Sequence, residues 1–137
     1  YGLLFAMCGV PCVYYGSEGG IEGEQHFGDY ELRPALDEPE WNGLTSWISV
    51  LAKAREASDC LSEGTYRQLA VSPLQLVFER ARGQERVVVA INADSTQSWV
   101  AFDGDCGEAH DLLSGVEIEI RGGIELEPYG VYYLQCD

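Results

Sequence analysis

Basic side chains are scarce in this chain: 8 Lys and Arg stand against 23 Asp and Glu, for a formal net charge of −15. A surface of that sign repels phosphate backbones and anionic headgroups, so nucleic acid and membrane are excluded as partners. No apolar run approaches the roughly 18 residues of a membrane span. Metal signatures are missing as well. Cys8-x-x-x-Cys12 lacks the second pair that a zinc site needs, and Asp103-Gly-Asp105 is too short for a calcium loop. Gly19-Gly20 and Gly122-Gly123 fail the phosphate-loop patterns and read as turns. His26 and His110 have no Asp or Ser placed to form a triad. No cofactor is implied.

The five cysteines (Cys8, Cys12, Cys60, Cys106, Cys136) are odd in number and sit mostly among apolar neighbours. They read as reduced cysteines acting as small apolar residues, which places the protein in the cytoplasm. At 137 residues the chain has room for one ordinary domain and a short appendage. It opens at Tyr1 inside an apolar segment, without an initiator Met, as a fragment does.

The organising stretch is Gly9-Val-Pro-Cys-Val-Tyr-Tyr-Gly16-Ser-Glu18-Gly-Gly20. Cys12 to Tyr15 carry no polar side chain, as expected of a strand covered on both faces, the state of a parallel strand in an α/β domain. Gly16, Gly19 and Gly20 allow a sharp bend beyond it, with Glu18 held in the bend. In α/β folds ligands collect at that end of a strand. Tyr1–Met7 reads as a helix end that Gly9 terminates. From Gly16 to Gly43 no period is visible, and a connection of that length is usually functional. Leu44, Trp47, Ile48, Leu51, Ala52 and Arg55 then share one helical face. Past Gly64 the period becomes two. Strands are expected at Thr65–Val71, Leu74–Arg80, Arg86–Asn92, Ser98–Phe102, Val116–Ile120 and Gly130–Gln135. Turns at Gly104–Gly107 and Gly122–Gly123 are among those expected to separate them. Fold class is therefore mainly β: a small antiparallel domain, sandwich or barrel, over residues 63–137, preceded by a β/α unit over residues 1–62.

In their order, these segments resemble the C-terminal portion of glycoside hydrolase family 13, the α-amylase family. The Gly9–Gly20 stretch is similar to the eighth barrel strand. Asp29-x-x-x-Arg33-Pro34, with Trp41 beyond, is similar to the long loop after it. Trp47-Ile48 and Leu51-Ala-Lys-Ala-Arg55 resemble the eighth barrel helix. Leu76-Val-Phe-Glu-Arg80, Val87–Asn92, Asp111-Leu-Leu-Ser-Gly115 and Leu126-Glu-Pro-Tyr-Gly130 resemble the appended sandwich. The Asp29/Arg33 version leans towards the neopullulanase and cyclomaltodextrinase branch.

The resemblance implies a (β/α)₈ barrel with an appended sandwich, acting on α-glucans or malto-oligosaccharides with retention. That chemistry needs two carboxyl groups about 5 Å apart. In the family they lie upstream of the matching segment, so no catalytic residue is expected here and the chain alone should be inert. Asp29 and Arg33 are the foremost substrate-binding candidates, since Arg donates to sugar hydroxyls and Asp accepts from them. An exposed Asp–Arg ion pair is the plainer reading of the same residues. Glu18 is a ligand-facing acid or a support of its loop. Tyr15, with Tyr14, Phe27, Tyr30 and Trp41, could stack on sugar faces or pack in a core. Two other functions stay open. Trp99, Tyr66 and Tyr132-Tyr133 would suit an independent carbohydrate-binding module, and a scaffold domain needs no sugar at all. The N-terminal strand and helix end, if bare, are expected to refold onto the sandwich, become disordered or pair with a second copy.

Overall fold

The computed structural model describes residues 1–136 apart from 25, 27, 28, 33 and 37, and only the backbone of 29 and 32. Four helices come first: α1 (Gly2–Ala6), α2 (Asp29–Leu32), α3 (Gly43–Ala57) and α4 (Asp59–Glu63). Six strands follow: β1 (Thr65–Val71), β2 (Gln75–Arg82), β3 (Glu85–Asn92), β4 (Ser98–Asp111), β5 (Glu117–Leu126) and β6 (Val131–Cys136). Helix α3 starts where Asn42 Oδ1 accepts the Thr45 amide at 2.9 Å, the N-cap role for which a short amide side chain is suited. Gly64 closes α4 with its amide on the Cys60 carbonyl at 2.9 Å. A Cβ there would meet that carbonyl at 2.3 Å, so only glycine fits.

The strands hydrogen-bond in the order β1-β2-β3-β6-β4-β5, antiparallel throughout. This continuous network folds over, so that β4 and β5 cover one face of β2, β3 and β6. Val77, Val88, Ala90 and Leu134 meet Phe102, Ile120, Ile124 and Leu126 in the core between the two layers. The opposite face of β2, β3 and β6, carrying Phe78, Val87, Val89 and Tyr133, packs on Phe5, Ala6, Leu51, Ala54, Cys60 and Leu61 of the helices. The run Val87–Ala90 is apolar at every position because β3 is covered on both sides.

Three expectations are corrected. The stretch 11–14 forms no strand: it takes no ladder partner, and Tyr14 and Tyr15 remain 55% and 51% exposed. A parallel strand forms only beside neighbouring strands, and no described strand lies alongside this stretch. Gly104–Gly107 and Gly122–Gly123 do not separate strands but lie within β4 and β5. The β4–β5 register slips between Ala101 and Asp105 and again before Gly107, and Gly107 and Gly122 have φ of 63° and 64°. These are bulges, which bend a ladder without ending it. Finally, Cys106 and Cys136 are not reduced. They form a disulfide across β4 and β6, with Cα atoms 5.5 Å apart, whereas Cys8, Cys12 and Cys60 are free. The β4–β6 ladder, pairing Ala109 with Cys136, brings them together, a proximity that sequence spacing could not reveal.

The helices are bound to the sheet by polar bonds as well as by packing. Arg80 is fully buried, and its guanidinium donates to the carbonyls of Ala6 (2.5 Å), Leu61 (3.0 Å), Gly64 (2.8 Å) and Thr65 (3.0 Å). Tyr133 donates its hydroxyl to the Gly2 carbonyl at 2.5 Å. Arg55 donates to the carbonyls of Phe5 (2.7 Å), Met7 (3.0 Å) and Gly9 (2.5 Å). Burial, and after it the neighbouring Arg80 guanidinium, pull Arg55 below its ordinary pKa.

Two outcomes follow from these bonds. Arg80→Met strips four carbonyls of their donor, at about 1–3 kcal/mol for each of the two, Ala6 and Leu61, that are buried. The urea midpoint should fall steeply, and Arg80→Lys should restore it only in part, because an ammonium has fewer donors and no planar fork. An unchanged midpoint in Arg80→Met would remove the clamp from the account. The disulfide spans 30 residues, so opening it should cost about 3–4 kcal/mol. Reductant should lower the midpoint of the wild type and leave that of a Cys106→Ser/Cys136→Ser variant unmoved.

Candidate functional site

The glycines around Glu18 build a compact corner between the N-terminal segment and α3. Gly16 and Gly20, with φ of 83° and 75°, flank a single 3-10 turn at Ser17–Gly19. Amides and carbonyls of the corner pair locally, Ser17 with Tyr14 at 3.0 Å and Gly19 with Gly16 at 3.1 Å. The corner is fastened to the start of α3. Thr45 donates its hydroxyl to the Glu18 carbonyl at 3.0 Å, and the Asn42 side-chain amide donates to the Gly19 carbonyl at 3.1 Å. Asn42 thus serves both the helix cap and the loop.

This arrangement leaves the half-buried Glu18 side chain at a cleft of about 200 Å³, which it lines with Ile21, Leu36, Glu38, Glu40 and Asn42. Beside the cleft Trp41 is 72% exposed, yet its indole N–H is fixed on Ser46 Oγ at 2.7 Å. A cleft with three carboxylates and an amide, next to a held indole, can accept hydrogen bonds from a polyol and stack against its ring. The described residues include no group of three or more His, Cys, Asp or Glu able to hold a metal ion.

Tyr15 braces the far wall. Its hydroxyl donates to the Pro34 carbonyl at 3.1 Å and accepts the Leu36 amide at 3.0 Å, closing the loop across about twenty residues of chain. Of the four substrate-binding candidates, Tyr15 and Glu18 are therefore brought to one loop. Asp29 opens α2, its side chain outside the described residues, and Arg33 lies outside them altogether. Glu38, Glu40 and Asn42 were not anticipated. Asn42 had a usable signal, an Asn directly before an apolar helical period. Glu38 and Glu40 had none, being two carboxylates among many.

No family model matches the chain. Curated relatives do. Cyclomaltodextrin glucanotransferase of Klebsiella oxytoca is 33% identical over 94 residues, 61% of this chain and 14% of the relative. Cyclomaltodextrinase of Thermoanaerobacter pseudethanolicus is 24% identical over 135 residues, 96% of this chain and 23% of the relative. Among solved structures an Anoxybacillus α-amylase superposes with a TM-score of 0.86 at 25% identity, covering 98% of this chain and 31% of that one. The chain thus spans less than a third of the length of these proteins.

The brace has a direct readout. Tyr15→Phe removes one donor and one acceptor, each bond contributing about 0.5–1.5 kcal/mol. Exchange of the Leu36 amide should accelerate severalfold while amides of β3 stay protected. Equal protection of Leu36 in both proteins would show that Tyr15 does not hold the loop.

Proposed function

Since the chain is a member of the α-amylase family, glycoside hydrolase family 13, and matches a C-terminal-like portion of it, we propose that it is the non-catalytic end of a retaining α-glucan-acting enzyme of the cyclomaltodextrinase-like branch. In this reading the sandwich, residues 63–137, supports a barrel to which residues 1–62 contribute the last β/α unit. The loop between Gly16 and Gly43 contributes glucan contacts through Asp29, Arg33 and Glu18, with Tyr15 as its brace. The observation that carries the reading is the superposition over 98% of the chain, loop and sandwich together, on an α-amylase.

Exposed Leu3, Leu4, Val10 and Tyr14 fit the same picture. They are surface that the remaining barrel covers, and a second copy is their partner when the segment stands alone. The cytoplasmic placement rested on reduced thiols. The Cys106–Cys136 bond supports an oxidising compartment instead. No described helix is long and apolar enough to cross a membrane.

The test has two arms. The 137-residue chain should release no reducing sugar from maltodextrin. In the longer protein that carries it, Arg33→Ala should raise KM for malto-oligosaccharides about tenfold, a loss of about 1.4 kcal/mol of binding, with kcat little changed. Hydrolysis by the chain alone overturns the proposal, and an unchanged KM removes Arg33 from the site.

A further inference from the structure

The outer face of β4 and β5 holds a large aromatic side chain where strands facing water carry polar ones. Trp99 is 60% exposed. The register pairs Trp99 with Glu125 and Ala101 with Gly123, and the intervening pair Val100 and Ile124 belongs to the core. Alternation therefore places Trp99, Ala101, Gly123 and Glu125 on the side facing away from that core. Gly123 is on that outer side and is nevertheless buried. The indole accounts for this: a Cβ at Gly123 would come within 2.7 Å of Trp99 Cζ2 and 2.6 Å of the Val100 carbonyl oxygen. Glycine is required here by close approach. The ring rests against the neighbouring strand, and much of its surface stays open to solvent.

Polar groups flank the seated indole. Glu125 is its cross-strand partner, and beyond it Gln97 Nε2 donates to Glu127 Oε1 at 3.1 Å. On a chain of net charge −15 an anionic ligand is repelled from such a place. A pyranose ring meets both halves of it, with an apolar C–H face for the indole and hydroxyl donors for the carboxylates.

We propose that Trp99, seated on Gly123 and flanked by Gln97, Glu125 and Glu127, binds a glucosyl unit of an α-glucan, a contact on the sandwich separate from the Glu18 loop. The choice of α-glucan among polyols rests on the family reading above. The site itself rests on the β4–β5 face.

The experiment is affinity electrophoresis of the 137-residue chain through soluble amylopectin, with maltoheptaose as competitor. The wild type should be retarded, Trp99→Ala should bind about tenfold more weakly, and Glu125→Ala should weaken binding to a lesser degree. Tyr129→Ala, which removes another exposed aromatic of the sandwich, should bind as the wild type does. Retardation that survives Trp99→Ala overturns the site, as does no retardation of the wild type. Displacement of bound glucan by tetramethylammonium but not by maltoheptaose also overturns it, by giving the indole to a cation. A circular dichroism melt of each variant confirms that a lost shift is not lost fold. If amylopectin is not retained while the longer enzyme still cleaves glucans, the Trp99 site falls and the family reading stands. If amylopectin is retained and the longer protein does not act on glucans, the reverse holds.

Discussion

Arg80 is a cation taken out of water in a protein with a large acidic surplus, and no described carboxylate is bonded to it. Its charge is spread over four carbonyls, two of which, those of Ala6 and Leu61, lie in α1 and α4. Carbonyls near helix ends have no partner within the helix and carry partial negative charge, so one planar guanidinium serves several acceptors together. Because the acceptors belong to separate elements, the bond set also fixes where α1 and α4 lie on the face of β2. Removing the arginine costs more than a typical salt bridge contributes, since the freed carbonyls of Ala6 and Leu61 are buried.

The other polar links lean on that placement. Tyr133 reaches the Gly2 carbonyl from the same face of the sheet, and burial pushes its hydroxyl pKa well up, keeping it a donor through the physiological range. Arg55 gathers the Phe5 carbonyl of α1 and those of Met7 and Gly9 after it, which carries the chain from the helix into the stretch before the Glu18 corner. Sheet, helices and loop therefore form a mechanical series. The cleft at Glu18 is positioned by α3, α3 packs on the sheet through Leu51 and Ala54, and the sheet holds α1 and α4 through Arg80. A buried asparagine and a buried aspartate do comparable work at the ends of the strands. Asn92 accepts from Gln75 and Asp94 and donates to the Glu127 carbonyl, and Asp111 accepts from Ser114 and the Tyr133 amide.

Much of this was legible in the residues. The short segments past Gly64, set apart by turn residues, located all six strands, although β3 is buried at every position from Val87 to Ala90 rather than at alternate ones. Thr65–Val71 was placed to the residue. Bounds failed where glycine was read as punctuation, since Gly107 and Gly122 take left-handed φ values inside strands that continue past them. A bulge glycine and a turn glycine look the same in sequence. What separates them is whether the partner strand resumes its register, a property of two segments at once. The disulfide was illegible for the same reason. At the site, Tyr15 and Glu18 stood out because an aromatic run ended in a glycine corner. Glu38 and Glu40 are picked out only by the folded loop, which brings them to the cleft that Glu18 lines.

The residues 11–14 carry the last step. Apolarity on every side was read as burial on every side, and β3 shows the inference is sound when neighbours exist: Val87 to Ala90 are buried. In the N-terminal segment the same composition gives no ladder and leaves Tyr14 and Tyr15 exposed. Composition specifies what a segment needs, and the surrounding strands decide whether the need is met. The segment is fastened at both ends, by Arg55 on the Met7 and Gly9 carbonyls and by the Glu18 corner on the start of α3, so its place beside α3 is set by polar bonds although no ladder forms.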